Sequence, residues 1–172
     1  MMPNVSAVMA DIIPVSTESA RENRRSRLYW ESYNSTMTTI SPPAELLQRI
    51  ANNPSVDDFV GSFGYLRDTV SEYLQEAGRP FGSFRNILDF GCGVGRFLYA
   101  FQPVLAPGQQ LFGCDVYEPC VRWCHKNIDF AQVVHNSIHP PLPYESGKFD
   151  LVYALSVFTH LHIDMQFKWA WE

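Results

Sequence analysis

At 172 residues with 46% hydrophobic content, the chain is long enough to bury a real core and reads as one domain plus an appendage. Its formal net charge of −5 gives no overall pull toward nucleic acid or an anionic membrane surface, and no apolar run is long enough to span a bilayer. Four cysteines behind an amino terminus with no secretory pattern point to reduced thiols and a cytoplasmic setting rather than a disulfide framework.

Residues 1–40 are expected to form a weakly ordered segment, rich in Ser, Thr, Pro and Asn up to about residue 20. A helix over Ser19 to Tyr33 is expected within it. Leu28, Tyr29, Trp30 and Tyr33 form its apolar end, which packs on the main domain or covers a site entrance. Arg21, Arg24, Arg25 and Arg27 lie among Glu18 and Glu22 and read as a solvated face.

Residues 41–80 read as a helical extension. Ser41-Pro42-Pro43 caps a short helix containing Glu45 to Ile50, and Asn52-Asn53-Pro54 ends it. Ser55 with Asp58 three residues on resembles a capping box with Asp in place of Glu or Gln. The helix it opens carries Val56, Phe59, Val60, Phe63, Leu66, Val70, Tyr73 and Leu74 at helical period and stops before Gly78-Arg79-Pro80. Its apolar stripe is expected to face the sheet that begins at Ile87.

In residues 81–172, Ile87, Leu88 and Phe90 make a strand, three glycines follow at alternate positions, and Arg96 to Phe101 reads as helix until Pro103 stops it. Free N–H groups at such a turn are expected to favour a small carboxylate or phosphate. A second strand at Gln110 to Cys114, a helix from Glu118 through Asn127 and a third strand at Phe130 to Val134 come next. His139-Pro140-Pro141-Leu142-Pro143 is too proline-rich for a helix, and the apolar run Phe149 to Val157 suits a strand buried on both faces. The alternation predicts an α/β fold with a doubly wound parallel sheet. Cys120, Cys124 and His125 share a helix region but lack a fourth partner at metal-site spacing, so they read as core residues.

The glycine spacing decides between ligands. A dinucleotide fingerprint starting at Gly91 needs a third glycine where this chain has Arg96. The pattern present, Asp89-x-Gly91-x-Gly93-x-Gly95, closely resembles the first motif of class I S-adenosylmethionine-dependent methyltransferases. Leu111-Phe112-Gly113-Cys114-Asp115 resembles their second strand with its terminal acid, and Phe149 to Leu161 their fourth strand and following loop. The likeness runs from about residue 43 to the end and is strongest to type 11/12-like enzymes that modify small molecules or saccharides.

The resemblance implies a Rossmann-like sheet of order 3-2-1-4 and S-adenosylmethionine as cofactor. Gly91, Gly93 and Gly95 would contact its methionine portion and ribose, with Cys92 contributing only backbone. Asp89 would accept from its amino group, and Asp115 from the two ribose hydroxyls. Val116 would pack on adenine, Asn136 or Ser137 would reach its polar edge, and Ser156, near the end of the fourth strand, would also belong to the cofactor site. His160 is the candidate general base, set against a capping role for Thr159-His160 at a helix start. Neither His160 nor His162 reads as a metal ligand.

Similar enzymes continue past a helix such as Trp169-Ala170-Trp171-Glu172 into three further strands. The resemblance therefore implies an incomplete domain with weak cofactor binding, little turnover, and a fourth strand whose open edge invites self-association. The acceptor is expected to be a small molecule. The competing readings are a non-catalytic cofactor-binding module that pairs with another chain, and a nicotinamide-dependent oxidoreductase.

Overall fold

The computed structural model describes residues 40–172; the helix expected over Ser19 to Tyr33 and the arginine cluster lie outside the described residues. Helix α1 (Ala44–Ala51) is flanked by Pro43, with no side-chain cap from Ser41, and ends where Asn52 takes a left-handed conformation. Helix α2 (Val56–Glu76) is capped as expected on one side: Ser55 Oγ accepts the Asp58 N–H at 3.1 Å. The reciprocal half comes from Asn53, whose Oδ1 accepts the Ser55 N–H at 2.9 Å and whose Nδ2 donates to Asp58 Oδ2. An Asp at the third helical position is too short to reach back, and an asparagine two residues upstream does the work of the missing glutamate.

The strands are β1 (Asn86–Phe90), β2 (Gln110–Asp115), β3 (Ala131–His135) and β4 (Leu151–Tyr153). They form one parallel sheet in the order β3-β2-β1-β4, the order expected for a Rossmann-like, doubly wound sheet. Helix α3 (Arg96–Phe101) follows β1, α4 (Glu118–Asn127) follows β2, and α5 (Ile163–Trp171) follows β4. No described helix is long and apolar enough to cross a membrane.

Neighbouring residues along each strand serve opposite faces, as the pleat requires. Ile87 and Leu111 join Phe63, Leu66, Leu98 and Phe101 on one side. Leu88 and Phe112 join Trp169 and Phe149 on the other. Each fully buried Phe or Leu of these layers contributes roughly 1.5–3 kcal/mol of apolar transfer free energy. The α2 stripe reaches the sheet through α3 rather than directly: Phe63 stacks on Tyr99 with ring centroids 5.9 Å apart. The short α3 presents its aromatic residues to both neighbours, which is why a stripe expected to meet the sheet meets another helix.

The longest departure from expectation is β4. Only Leu151–Tyr153 is strand, because β1 offers it pairing positions at Ile87, Leu88 and Asp89 alone. Beyond Tyr153 the chain bends, Ser156 has a positive φ of 56°, and Phe158–His160 forms a single 3-10 turn. The strand is pinned at its start instead: the Asp150 carboxylate accepts the Arg85 N–H at 2.7 Å and the Asn86 N–H at 2.9 Å. Strand β3 lies one residue later than the sequence suggests, and His139 to Pro143 is free of helix as expected.

Candidate functional site

The ends of β1, β2 and β4 and the turns after them surround a cavity of about 810 Å³. It opens beyond the carboxyl ends of the strands, at the point between β1 and β4 where the strand order reverses, which is where open α/β sheets bind ligands. Asp89, Gly91, Cys92, Gly93, Asp115, Val116, Asn136, Ser156 and His160 all line it. Gly95 and Ser137 are not among its lining residues. Gly95 instead has a φ of 83° and lies against Ile128, so its lack of a side chain serves helix packing.

Asp115 ties this wall together. One carboxylate oxygen accepts the Gly93 N–H at 2.8 Å, and the other accepts the Tyr117 N–H at 2.7 Å. Each oxygen keeps acceptor capacity beyond that single bond, so the carboxylate fixes the glycine loop and still faces the cavity. Other N–H groups of the loop are also used within the protein. Gly91 and Cys92 donate to the Cys114 carbonyl at 2.8 and 3.0 Å, and Gly95 donates to Cys92 O at 2.9 Å. The anion site expected at this turn therefore lacks the amides of Gly91 and Cys92, which hold the loop against β2, and that of Gly93, which is bound to Asp115.

Asp89 is 3% exposed, and its carboxyl is pushed up to about 8, first by burial and then by the nearby Asp115 charge, with Arg96 offsetting part of the rise. Burial and the Asp115 charge thus favour the protonated carboxyl, and a cation placed beside it would favour the carboxylate. Asn136 is equally buried at 3%. Its Nδ2 donates to Ser137 O at 2.8 Å, but its Oδ1 has no donor among the described residues. A buried amide oxygen without a partner costs free energy unless a ligand or water supplies a donor.

Several lining residues carry no sequence signal for the role. Arg49, Ile50, Ala51 and Asn52 bring α1 to the mouth of the cavity, where Ile50 packs over Gly93 and the Arg49 guanidinium lies 4.3 Å from the Tyr117 ring centroid. Phe59 and Leu66 of α2, with Phe97 and Leu155, form an apolar wall. Local periodicity marks these residues as core, and only the tertiary fold brings them to the site. Arg96 was legible as the residue that breaks a dinucleotide fingerprint, and its place at the first position of a helix after the loop also aims it at the cavity.

His160 is exposed, sits in the 3-10 turn rather than at the start of α5, and lines the cavity. The helix begins at Ile163, behind His162. The cysteines are all free thiols. Burial pushes the Cys114 and Cys120 thiols up to about 12, and Cys124 donates to Gly93 O at 3.4 Å, so they behave as packing groups. Among the described residues no group of His, Cys, Asp or Glu is arranged to hold a metal ion.

Residues 88–168 match a family model described as a methyltransferase domain. Over 131 residues, 72% of this chain, the sequence is 29% identical to the O-antigen chain terminator bifunctional methyltransferase/kinase of Escherichia coli. The chain spans 18% of that relative's length. Among solved structures, CalS10, an amino pentose methyltransferase from Micromonospora echinaspora, is similar at 18% identity and a TM-score of 0.47, covering 59% of this chain and 40% of that one. PKMT2 from Rickettsia typhi is 24% identical with a TM-score of 0.44, covering 62% of this chain and 21% of that one.

Proposed function

We propose that this chain, which carries the Rossmann-like fold of class I S-adenosylmethionine-dependent methyltransferases, binds S-adenosylmethionine in the cavity at its strand ends and directs a methyl group to a small-molecule or saccharide acceptor. The observation that carries this reading is Asp115: a carboxylate at the end of β2, fixed by the Gly93 and Tyr117 amides, with lone pairs left for a vicinal diol such as ribose. The buried, donor-less Asn136 Oδ1 is suited to an adenine amino group. Asp89 is suited to an ammonium. The residues present therefore fit the cofactor at three chemically distinct points, and Arg96 disfavours a nicotinamide dinucleotide.

When bound, S-adenosylmethionine would supply an electrophilic methyl carbon, to which an acceptor lone pair bonds as the carbon–sulfur bond breaks and its electron pair stays on the sulfur of S-adenosylhomocysteine. The chain's work is alignment and exclusion of water. Val116, half exposed at 50%, offers an apolar surface for a base to lie on. Phe59, Leu66, Phe97 and Leu155 wall off the rest of the cavity from solvent. His160, exposed and lining the cavity, would take the acceptor proton where the acceptor is a hydroxyl. The saccharide part of the reading is supported by the chain-terminating relative.

Equilibrium dialysis with labelled S-adenosylmethionine tests the reading. Saturable binding displaced by S-adenosylhomocysteine and not by NAD is expected; displacement by NAD alone, or no binding, overturns it. Self-association belongs to the same reading, since among the described strands β4 pairs only with β1 and a strand with one free side pairs readily. Sedimentation velocity of the chain should then show dimers that a Val152→Lys variant weakens, and a monomer at all concentrations would exclude it.

A further inference from the structure

Three of the loop amides at the cavity are already used within the protein, with Gly91 and Cys92 bound to Cys114 O and Gly93 to Asp115. The cofactor proposed above nevertheless carries a carboxylate beside its ammonium, and an anion taken into a partly enclosed site needs a cation or donors there. Two arginines line the cavity. Arg49 lies over the Tyr117 ring, immediately beyond the end of β2 where the ribose is placed. Arg96 stands at the other end, half-buried as the first residue of α3. It makes no hydrogen bond or ion pair with any described residue, and its charge acts on Asp89 and Tyr153.

We propose that Arg96 holds the carboxylate of the cofactor's amino-acid end while Asp89 faces its ammonium, so that the pair matches a zwitterion with opposite charges in the right order. Guanidinium and carboxylate are complementary in shape as well as in charge, since two parallel N–H donors meet two oxygens. This inference rests on the S-adenosylmethionine reading, and it names a binding residue that the glycine motif alone does not.

The test is calorimetric titration of the full chain with S-adenosylhomocysteine, with its decarboxylated counterpart S-adenosyl-3-thiopropylamine, and with 5′-methylthioadenosine. The unaltered chain should prefer the carboxylate-bearing ligand by about tenfold or more. Arg96→Gln should weaken S-adenosylhomocysteine by roughly tenfold to a hundredfold and weaken the decarboxylated ligand clearly less, through the Asp89 carboxyl whose ionisation the Arg96 charge favours. Arg96→Lys should keep part of the preference, and Arg49→Gln should keep all of it. Equal losses for both ligands in Arg96→Gln, no preference in the unaltered chain, or loss of the preference in Arg49→Gln would each overturn the assignment. Failure of the unaltered chain to bind any of the three adenosyl ligands would instead overturn the cofactor reading itself.

Discussion

The Val157 side chain fills the space that a Cβ on Gly91 would occupy, and both residues line the cavity. Gly91 has a φ of 77°, so an alanine there meets backbone strain and a branched neighbour that has little freedom to move. Gly91→Ala should lower stability by about 1–3 kcal/mol and weaken S-adenosylhomocysteine, because Val157 must shift into the cavity. Gly95→Ala meets only the flexible end of Ile128 at a φ of 83° and does not reach the cavity. It should cost about 1–2 kcal/mol with affinity unchanged. Urea denaturation with and without the ligand separates the two, and an equal effect of both on affinity would contradict the placement of Gly95.

The raised carboxyl of Asp89 makes both stability and binding depend on pH. Its ordinary value is 3.8 and its value in the fold is about 8, so between them the folded protein holds a proton that the unfolded chain has lost. The stabilising contribution is complete below about pH 4 and is lost as pH rises through about 8, at up to ~1.4 kcal/mol per pH unit. Asp89→Asn should flatten that slope in urea melts between pH 5 and 8. An ammonium placed against Asp89 favours the ionised form, so S-adenosylhomocysteine binding at pH 7 should release a proton, seen as a dependence of calorimetric heat on buffer. No proton release in the unaltered chain would contradict the pairing.

Asn136 presents an acceptor with no donor among the described residues, and a purine amino group would supply one. S-inosylhomocysteine, which carries a carbonyl oxygen there, should bind about tenfold or more weakly than S-adenosylhomocysteine, because two acceptors are brought together. In Asn136→Ala the difference between the two ligands should largely close. Persistence of the full difference in that variant would place the base elsewhere.

Much of this was legible in the sequence because local rules and tertiary demands agreed. The alternation of elements gave the parallel sheet, and the resemblance carried by the Asp89 to Gly95 spacing and the acid at the end of β2 implied the strand order and nine of the lining residues. Ser55 announced its helix for the same reason. The misses have physical causes. An apolar run does not say where hydrogen-bonding partners stop, so Phe149 to Val157 read as strand although β1 pairs with three of its residues. Backbone donors counted as free for a ligand were satisfied by Cys114 O, a partner from another strand that no spacing rule supplies. The same holds for α1: nothing between Ala44 and Ala51 says that Ile50 will lie over Gly93.

The account stands on Asp115 gripping the cofactor while it holds the loop. Titration of the chain and of Asp115→Ala with S-adenosylhomocysteine measures this directly, with the fold of the variant checked by circular dichroism. The account predicts saturable one-to-one binding in the unaltered chain and an affinity lower by about tenfold to a hundredfold in the variant. Equal affinity in the two would contradict it.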